Sequence, residues 1–128
     1  LPVCVVCRSK YGEYPEYHTS LDDLSLISPE GLQGSYEVYM AIFHAIEYNA
    51  FYRIKCLCEP QLGKRGMYPS VSQKGSYDAV KSMVDLIAYA DGKRDLIDIS
   101  NIIHVPVSLL IPVIIKLTEA DLLEVVNE

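Results

Sequence analysis

Apolar positions follow no single period along the first third of the chain. Residues 2–8 are a run of β-branched and cysteine residues, which predicts a buried strand. Residues 9–27 mix Tyr, Glu, Pro and Asp with neither a two-residue nor a 3.6-residue repeat. An aperiodic segment of that length, rich in aromatics, is expected to be a functional loop. Ser28-Pro29-Glu30 then offers a hydroxyl N-cap, a proline at the first helical position and a carboxylate at the positive end of the dipole. The helix it opens should run to about Asn49, with Tyr36, Tyr39, Met40, Phe43 and Ile46 along one face.

Residues 52–58 predict a short strand, and residues 59–75, with three glycines and two prolines, an irregular connection. From Ser76 the period turns helical, with Val80, Met83, Val84, Ile87 and Ala88 as its apolar stripe and Asp91-Gly92 as its closing turn. A short helix over 95–103 should turn Leu96, Ile99, Ile102 and Ile103 inward. His104-Val105-Pro106 is a tight break. A third helix is expected from Ser108, with Pro112 in its first turn, where a missing N–H does little harm, and with Ile115 and Leu117 towards its end near Ala120. Asp121 stands where glycine often closes a helix, and residues 122–126 read as a strand. Helix, short helix, tight turn, helix and strand is the order of a winged helix-turn-helix module.

Composition narrows the picture. Half of the 128 residues are apolar, which excludes intrinsic disorder. Ten tyrosines against two phenylalanines and no tryptophan point to apolar surfaces with polar rims. The net charge is −6, with seven basic and eight acidic residues up to Lys74 and four basic and nine acidic after it. So acidic a C-terminal part argues against a phosphate backbone as partner. The longest apolar run, residues 105–115, is broken by Pro106, Ser108 and Pro112 and is too short to span a bilayer, so no membrane partner is expected. The first residues lack the basic region and cleavage site of a signal peptide and begin without Met, from which we expect a piece of a longer protein. Four cysteines in two close pairs are too sparse for a secreted disulfide scaffold, and a reducing, cytoplasmic setting is expected.

The informative stretch runs from Tyr11 through Tyr17-His18-Thr19-Ser20-Leu21-Asp22-Asp23. It sets an imidazole on a loop after an expected strand, with carboxylates four and five residues on, and strand-end loops are where α/β enzymes place ligands. A metal-bound histidine needs a partner to fix its tautomer, which Asp22 or Asp23 could supply. By spacing alone, though, this is an ordinary surface loop. Tyr17-His18-Thr19-Ser20-Leu21-Asp22 resembles the Tyr-His-Thr-x-x-Asp motif that closes the catalytic domain of co-catalytic zinc aminopeptidases. The longer string from Arg8-Ser9-Lys10-Tyr11-Gly12-Glu13-Tyr14-Pro15-Glu16 to Asp22-Asp23-Leu24 resembles a bacterial aminopeptidase-like branch associated with polysaccharide biosynthesis. So does Cys58-Glu59-Pro60-Gln61-Leu62-Gly63-Lys64-Arg65-Gly66-Met67-Tyr68-Pro69. Ala88-Tyr89-Ala90-Asp91-Gly92-Lys93 with Leu96-Ile97-Asp98-Ile99 resembles that branch's winged-helix appendage.

The resemblance implies that His18 is one zinc ligand, with Tyr17, Asp22 and Asp23 supporting its loop. The other ligands and the general base of that family lie outside these residues. A catalytic zinc needs three protein ligands and an open position, so this chain alone is expected to have no peptidase activity. A thiolate site from Cys4, Cys7, Cys56, Cys58 and His18 is the weaker alternative, because residues three apart on a strand face opposite ways. Cysteines buried as packing are the default. His44 and His104 read as structural. Lys64 and Arg65 either meet a substrate anion or belong to a loop packing back on the catalytic domain.

The expected fold is α+β: a remnant of an α/β zinc-peptidase domain over 1–58 (strand, ligand loop, helix), a connection over 59–75 and a winged module over 76–128. The helix over 107–120, with Lys116 its one cation, lacks the Arg, Asn or Gln of a groove reader and suits contact with protein. Two functions remain in view: a piece of a zinc-dependent aminopeptidase-like hydrolase acting on a peptide-like or amide substrate, and a non-catalytic oligomerisation or regulatory module. In either, the expected partner is the rest of the catalytic domain or a second copy pairing with the first part's open strand edge.

Overall fold

The computed structural model describes residues 3–68 and 76–126. They form an α+β chain that divides into two compact units, Leu1–Phe43 and His44–Glu128.

The first unit has no strand among its described residues. Residues 3–8, expected as a buried strand, run without a paired neighbour, and Val3 and Val5 are 80% and 77% exposed. A β-branched run becomes a strand only when another edge takes up its backbone groups. With no strand there, the expected open edge does not arise either. Residues 9–27 are a succession of turns ending in a 3-10 turn at Leu24–Leu26. Helix α1, Pro29–Glu47, begins as the capping pattern predicts, with the Ser28 hydroxyl accepting from the Gly31 amide at 3.0 Å. No residue of α1 is buried, and of the predicted stripe only Met40 is half-buried. Residues 6–8 touch this helix, with the Tyr39 hydroxyl donating to the Val6 carbonyl at 2.8 Å, yet Tyr36, Phe43 and Ile46 stay exposed.

The second unit has its own core. Strand β1, Phe51–Ile54, sits between β2, Asp91–Asp95, and β3, Leu123–Val126, in an antiparallel sheet of order β2-β1-β3. Arg53 lies opposite Glu124 in the β1–β3 register and donates to it. The strand expected over 52–58 is therefore shorter and is the centre of the C-terminal sheet, not part of the 1–58 remnant. Helix α2, Ser76–Tyr89, is where the period places it, but its inward face is set by Met83 and Leu86, followed by Ala90, while Val84 and Ala88 face solvent. Asp91-Gly92 is not a free turn: both residues belong to β2, with Gly92 at φ +79°.

Helix α3, Leu96–Ile103, is capped by the Asp95 carboxylate, which accepts from the Asp98 amide at 2.8 Å. Leu96 and Ile99 are buried as predicted, and Ile102 is exposed. His104 closes α3 in the left-handed conformation, and the Ser100 hydroxyl donates to the Val105 carbonyl at 2.7 Å to hold the break. Helix α4, Val107–Glu119, starts one residue before Ser108, after Pro106. Pro112 thus lies inside the helix and not in its first turn, leaving the exposed Ser108 carbonyl to solvent. The inward residues of α4 are Leu110, Ile114 and Leu117; Ile115 faces out. At its end the Asp121 amide bonds the Thr118 carbonyl and the Leu122 amide the Leu117 carbonyl, a Schellman closure with Asp121 at φ +57°. No single helix among the described residues is long and apolar enough to cross a membrane.

Part of the predicted connection joins this core. Leu62 and Met67 are buried with Tyr52, Leu86, Leu110 and Leu122, and Lys116 reaches the Met67 carbonyl at 3.1 Å. Residues 69–75 of the expected connection lie outside the described residues.

Candidate functional site

The loop over 10–23 is built from turns that close on themselves. The Glu13 amide bonds the Lys10 carbonyl, Tyr17 bonds Tyr14, Thr19 bonds Glu16 and Asp22 bonds Thr19, at 3.0–3.3 Å. The Thr19 hydroxyl adds a bond to the Glu16 carbonyl at 2.7 Å and accepts from the Leu21 amide at 3.2 Å. The rings of this loop touch one another. Tyr14 meets Tyr17 edge-on at 5.7 Å, Tyr11 lies 6.1 Å from Tyr17, and Tyr17 stacks on His18 at 4.1 Å and 21°. Tyr17 thus meets His18 in a ring contact.

His18 is exposed and takes a left-handed backbone, φ +58°. That conformation is uncommon for a non-glycine residue and is held by its surroundings. Among the described residues neither ring nitrogen of His18 has a hydrogen-bond partner, so the carboxylate expected to fix its tautomer is not in place. Asp23 instead caps the 3-10 turn through Ser25, whose amide it accepts at 2.8 Å. The Ser25 hydroxyl and amide together hold the Asp23 carboxyl below its ordinary range. Asp22 lies close enough to Tyr14 to help desolvation push that phenol up.

The described residues contain no group of three or more His, Cys, Asp or Glu side chains able to hold a metal. His18 is therefore a single donor, and these residues do not by themselves fit a catalytic zinc. All four cysteines are free thiols; Cys4, Cys7 and Cys58 are exposed, so the expected packing role does not hold for them, whereas the half-buried Cys56 packs against the second unit's core. The reason is the missing strand at one end and, at the other, a β1 that stops at Ile54, short of Cys58. His44 is exposed on α1, and His104 is the backbone hinge between α3 and α4.

Two features were not singled out from the chain. An open pocket of about 490 Å³ is lined by Arg8, Ser9, Tyr14, Asp22, Leu26, Ile27, Ser28, Gly31, Leu32 and Ser35. Arg8 crosses the first turn of α1, where a Cβ on Gly31 would lie 2.7 Å from its Nη1. The signal was present as Gly31, Gly34 and Ser35, small residues on one side of a helix, which admit a close neighbour. Lys64 and Arg65 line a separate pocket of about 360 Å³ with Cys56 and Glu59. Their turn is anchored by Leu62 and Met67 in the second unit's core, and Arg65 donates to the Pro60 carbonyl at 3.0 Å.

Comparison with known proteins adds to this geometry. A family model described as winged helix-turn-helix matches residues 50–125, and one described as a domain of unknown function, DUF4910, matches residues 1–49. A Clostridium acetobutylicum protein, provisionally named a polysaccharide biosynthesis protein with an aminopeptidase-like domain, is 39% identical over 102 residues, 78% of this chain. A crystal structure from the same organism, provisionally named a peptidase, superposes with a TM-score of 0.72 at 31% identity over 88% of this chain. The chain spans 23% of the first protein and 24% of the second.

Proposed function

The chain belongs to the winged helix-turn-helix family, and from its likeness to the two Clostridium acetobutylicum proteins we propose that it is part of a cytoplasmic, zinc-dependent aminopeptidase-like hydrolase. In this reading His18 supplies one metal ligand, and ligands from outside these residues complete the site around it. When bound, zinc would supply a Lewis acid and an activated water. The part of this chain is to hold an imidazole at a fixed place and angle. Its substrate is a peptide-like or small amide. The winged unit contacts protein: the rest of the hydrolase or a second copy.

The observation that carries the reading is the posture of His18, an exposed ring with free nitrogens on a left-handed residue, locked against Tyr17. The turn closed by the Thr19 amide on the Glu16 carbonyl sets this backbone angle and presents the ring outward. The exposed apolar residues of α1 support it too, because a 19-residue helix with no buried residue suits a place against further protein, and the chain spans 23% of the Clostridium acetobutylicum relative.

The test is zinc analysis of the full-length protein after dialysis, with aminoacyl-arylamide turnover measured in parallel. Wild type should retain zinc and turn over, His18→Ala should lose both, and the 128-residue chain alone should do neither. Zinc retention unchanged by His18→Ala would remove the assignment.

A second reading, a non-catalytic oligomerisation module, is favoured by the outer face of α4. There Leu109 and Ile115, 62% and 39% exposed, line up with Pro112. Sedimentation with and without a chelator separates the two: self-association indifferent to metal removal and lost in Leu109→Glu supports the module.

A further inference from the structure

We infer that Arg8 anchors a free carboxylate of the substrate in the pocket beside the His18 loop, so that the substrate is a short peptide or amide ending in a carboxylate. This deepens the hydrolase reading above and rests on it.

Four observations converge. The pocket, at about 490 Å³, is open and sized for a dipeptide-like molecule. The Arg8 guanidinium reaches it across Gly31, with Nη1 and Cζ 2.7 and 3.4 Å from where a Cβ would stand. Its N–H groups meet no carboxylate or carbonyl among the described residues, which leaves a planar five-donor fork, shaped for bidentate contact with a carboxylate, without an acceptor. Asp22 lines the same pocket without pairing with Arg8.

The last point decides the ligand class. A polyanion such as phosphate would meet the Asp22 charge as well as the Arg8 charge. A molecule with both an amino group and a carboxylate satisfies the two together. The pocket also belongs to the His18 loop, since Tyr14 in its wall touches Tyr17, and Tyr17 stacks on His18. A substrate held by its carboxylate at Arg8 therefore lies two ring contacts from the histidine.

Gly31 gives the means to move the fork without removing it. An added methyl there would displace the guanidinium, the far end of a flexible side chain, while alanine favours the helix.

The experiment is calorimetric titration of the full-length protein with Leu-Gly and with Leu-glycinamide, which differ in the carboxylate. Wild type should bind the acid at least about tenfold more tightly than the amide, the yield of one charge-assisted bidentate contact. R8A should abolish that preference, R8K should keep a fraction of it, and G31A should weaken acid binding with the fold intact. Equal binding of acid and amide by wild type, no binding of either, or a preference untouched in G31A overturns the assignment. If R8A fails to fold, G31A and R8K decide. Absence of arylamide turnover in wild type counts against the hydrolase reading alone, because the binding comparison needs no catalysis.

Discussion

Among the described residues, four that are not glycine take the left-handed backbone: His18, Gln61, His104 and Asp121. Asp121 and His104 end helices, the ordinary reason for such a residue. His18 and Gln61 end none and belong to hydrogen-bonded turns, His18 to the one closed by the Thr19 amide on the Glu16 carbonyl. Side-chain caps divide in the same way. Asp95 is shared, its Oδ1 taking the Asp98 amide while its Oδ2 accepts from Asn49, whose own oxygen accepts the Ile97 amide. Asp95→Ala should therefore cost about 1–2 kcal/mol in urea denaturation, and Asp95→Asn, which can still cap, clearly less. Asp23 serves one short turn. Its carboxyl is depressed first by the Ser25 hydroxyl and then by the Ser25 amide, so the support it gives is present above the ordinary value of 3.8 and lost as pH falls below it. An NMR titration should show the Ser25 amide moving in that acid range, and Asp23→Asn should remove the movement.

The helices differ in what sustains them. α3 and α4 bury Leu96, Ile99, Leu110, Ile114 and Leu117, and that burial tolerates a proline inside α4. Pro112 removes one backbone bond and leaves the Ser108 carbonyl without a helical partner, yet its exposed ring contributes little to the core. Pro112→Ala should accordingly raise stability by about 1–3 kcal/mol, read from the urea midpoint. α1 lies at the other extreme, with two glycines and no buried residue. Helices of that kind owe their stability to packing partners. Hydrogen exchange should find α1 amides at least about tenfold slower in the full-length protein than in the 128-residue chain. Equal rates would mean that nothing covers its apolar face.

At the scale of the molecule, one unit has a core and the other has a shaped loop. The winged unit closes around Tyr52, Leu62, Leu86, Leu110 and Leu122, so its sheet and helices should exchange slowest, and residues 3–27, held by turns, fastest. Its outward helix carries Leu109, Pro112 and Ile115 where a DNA reader would carry donors. Duplex DNA should give no salt-dependent retardation in a gel-shift titration, whereas a complex that weakens steeply with salt would restore the nucleic-acid reading.

What the chain determined by itself is whatever depends on near neighbours. The capped start of α1 at Ser28-Pro29, the break at His104 and the left-handed Asp121 are contests between a backbone group and a side chain a few positions away. The His18 motif was legible in the same way, as a continuous string. Tertiary structure decided the rest. Residues 2–8 have strand composition, but no neighbouring edge takes up residues 3–8, and strand formation is a property of pairs. Residues 52–58 looked like the tail of the first unit, and only pairing with β2 and β3 placed β1 at the centre of the second. The stripe of α2 kept Met83 and Ile87 but turned towards Leu86, because the helix period allows several adjoining faces and packing against α3 and α4 chose the buried one. Arg8 was one cation among eleven basic residues until a helix with glycine at position 31 came close enough to leave its fork waiting for a carboxylate.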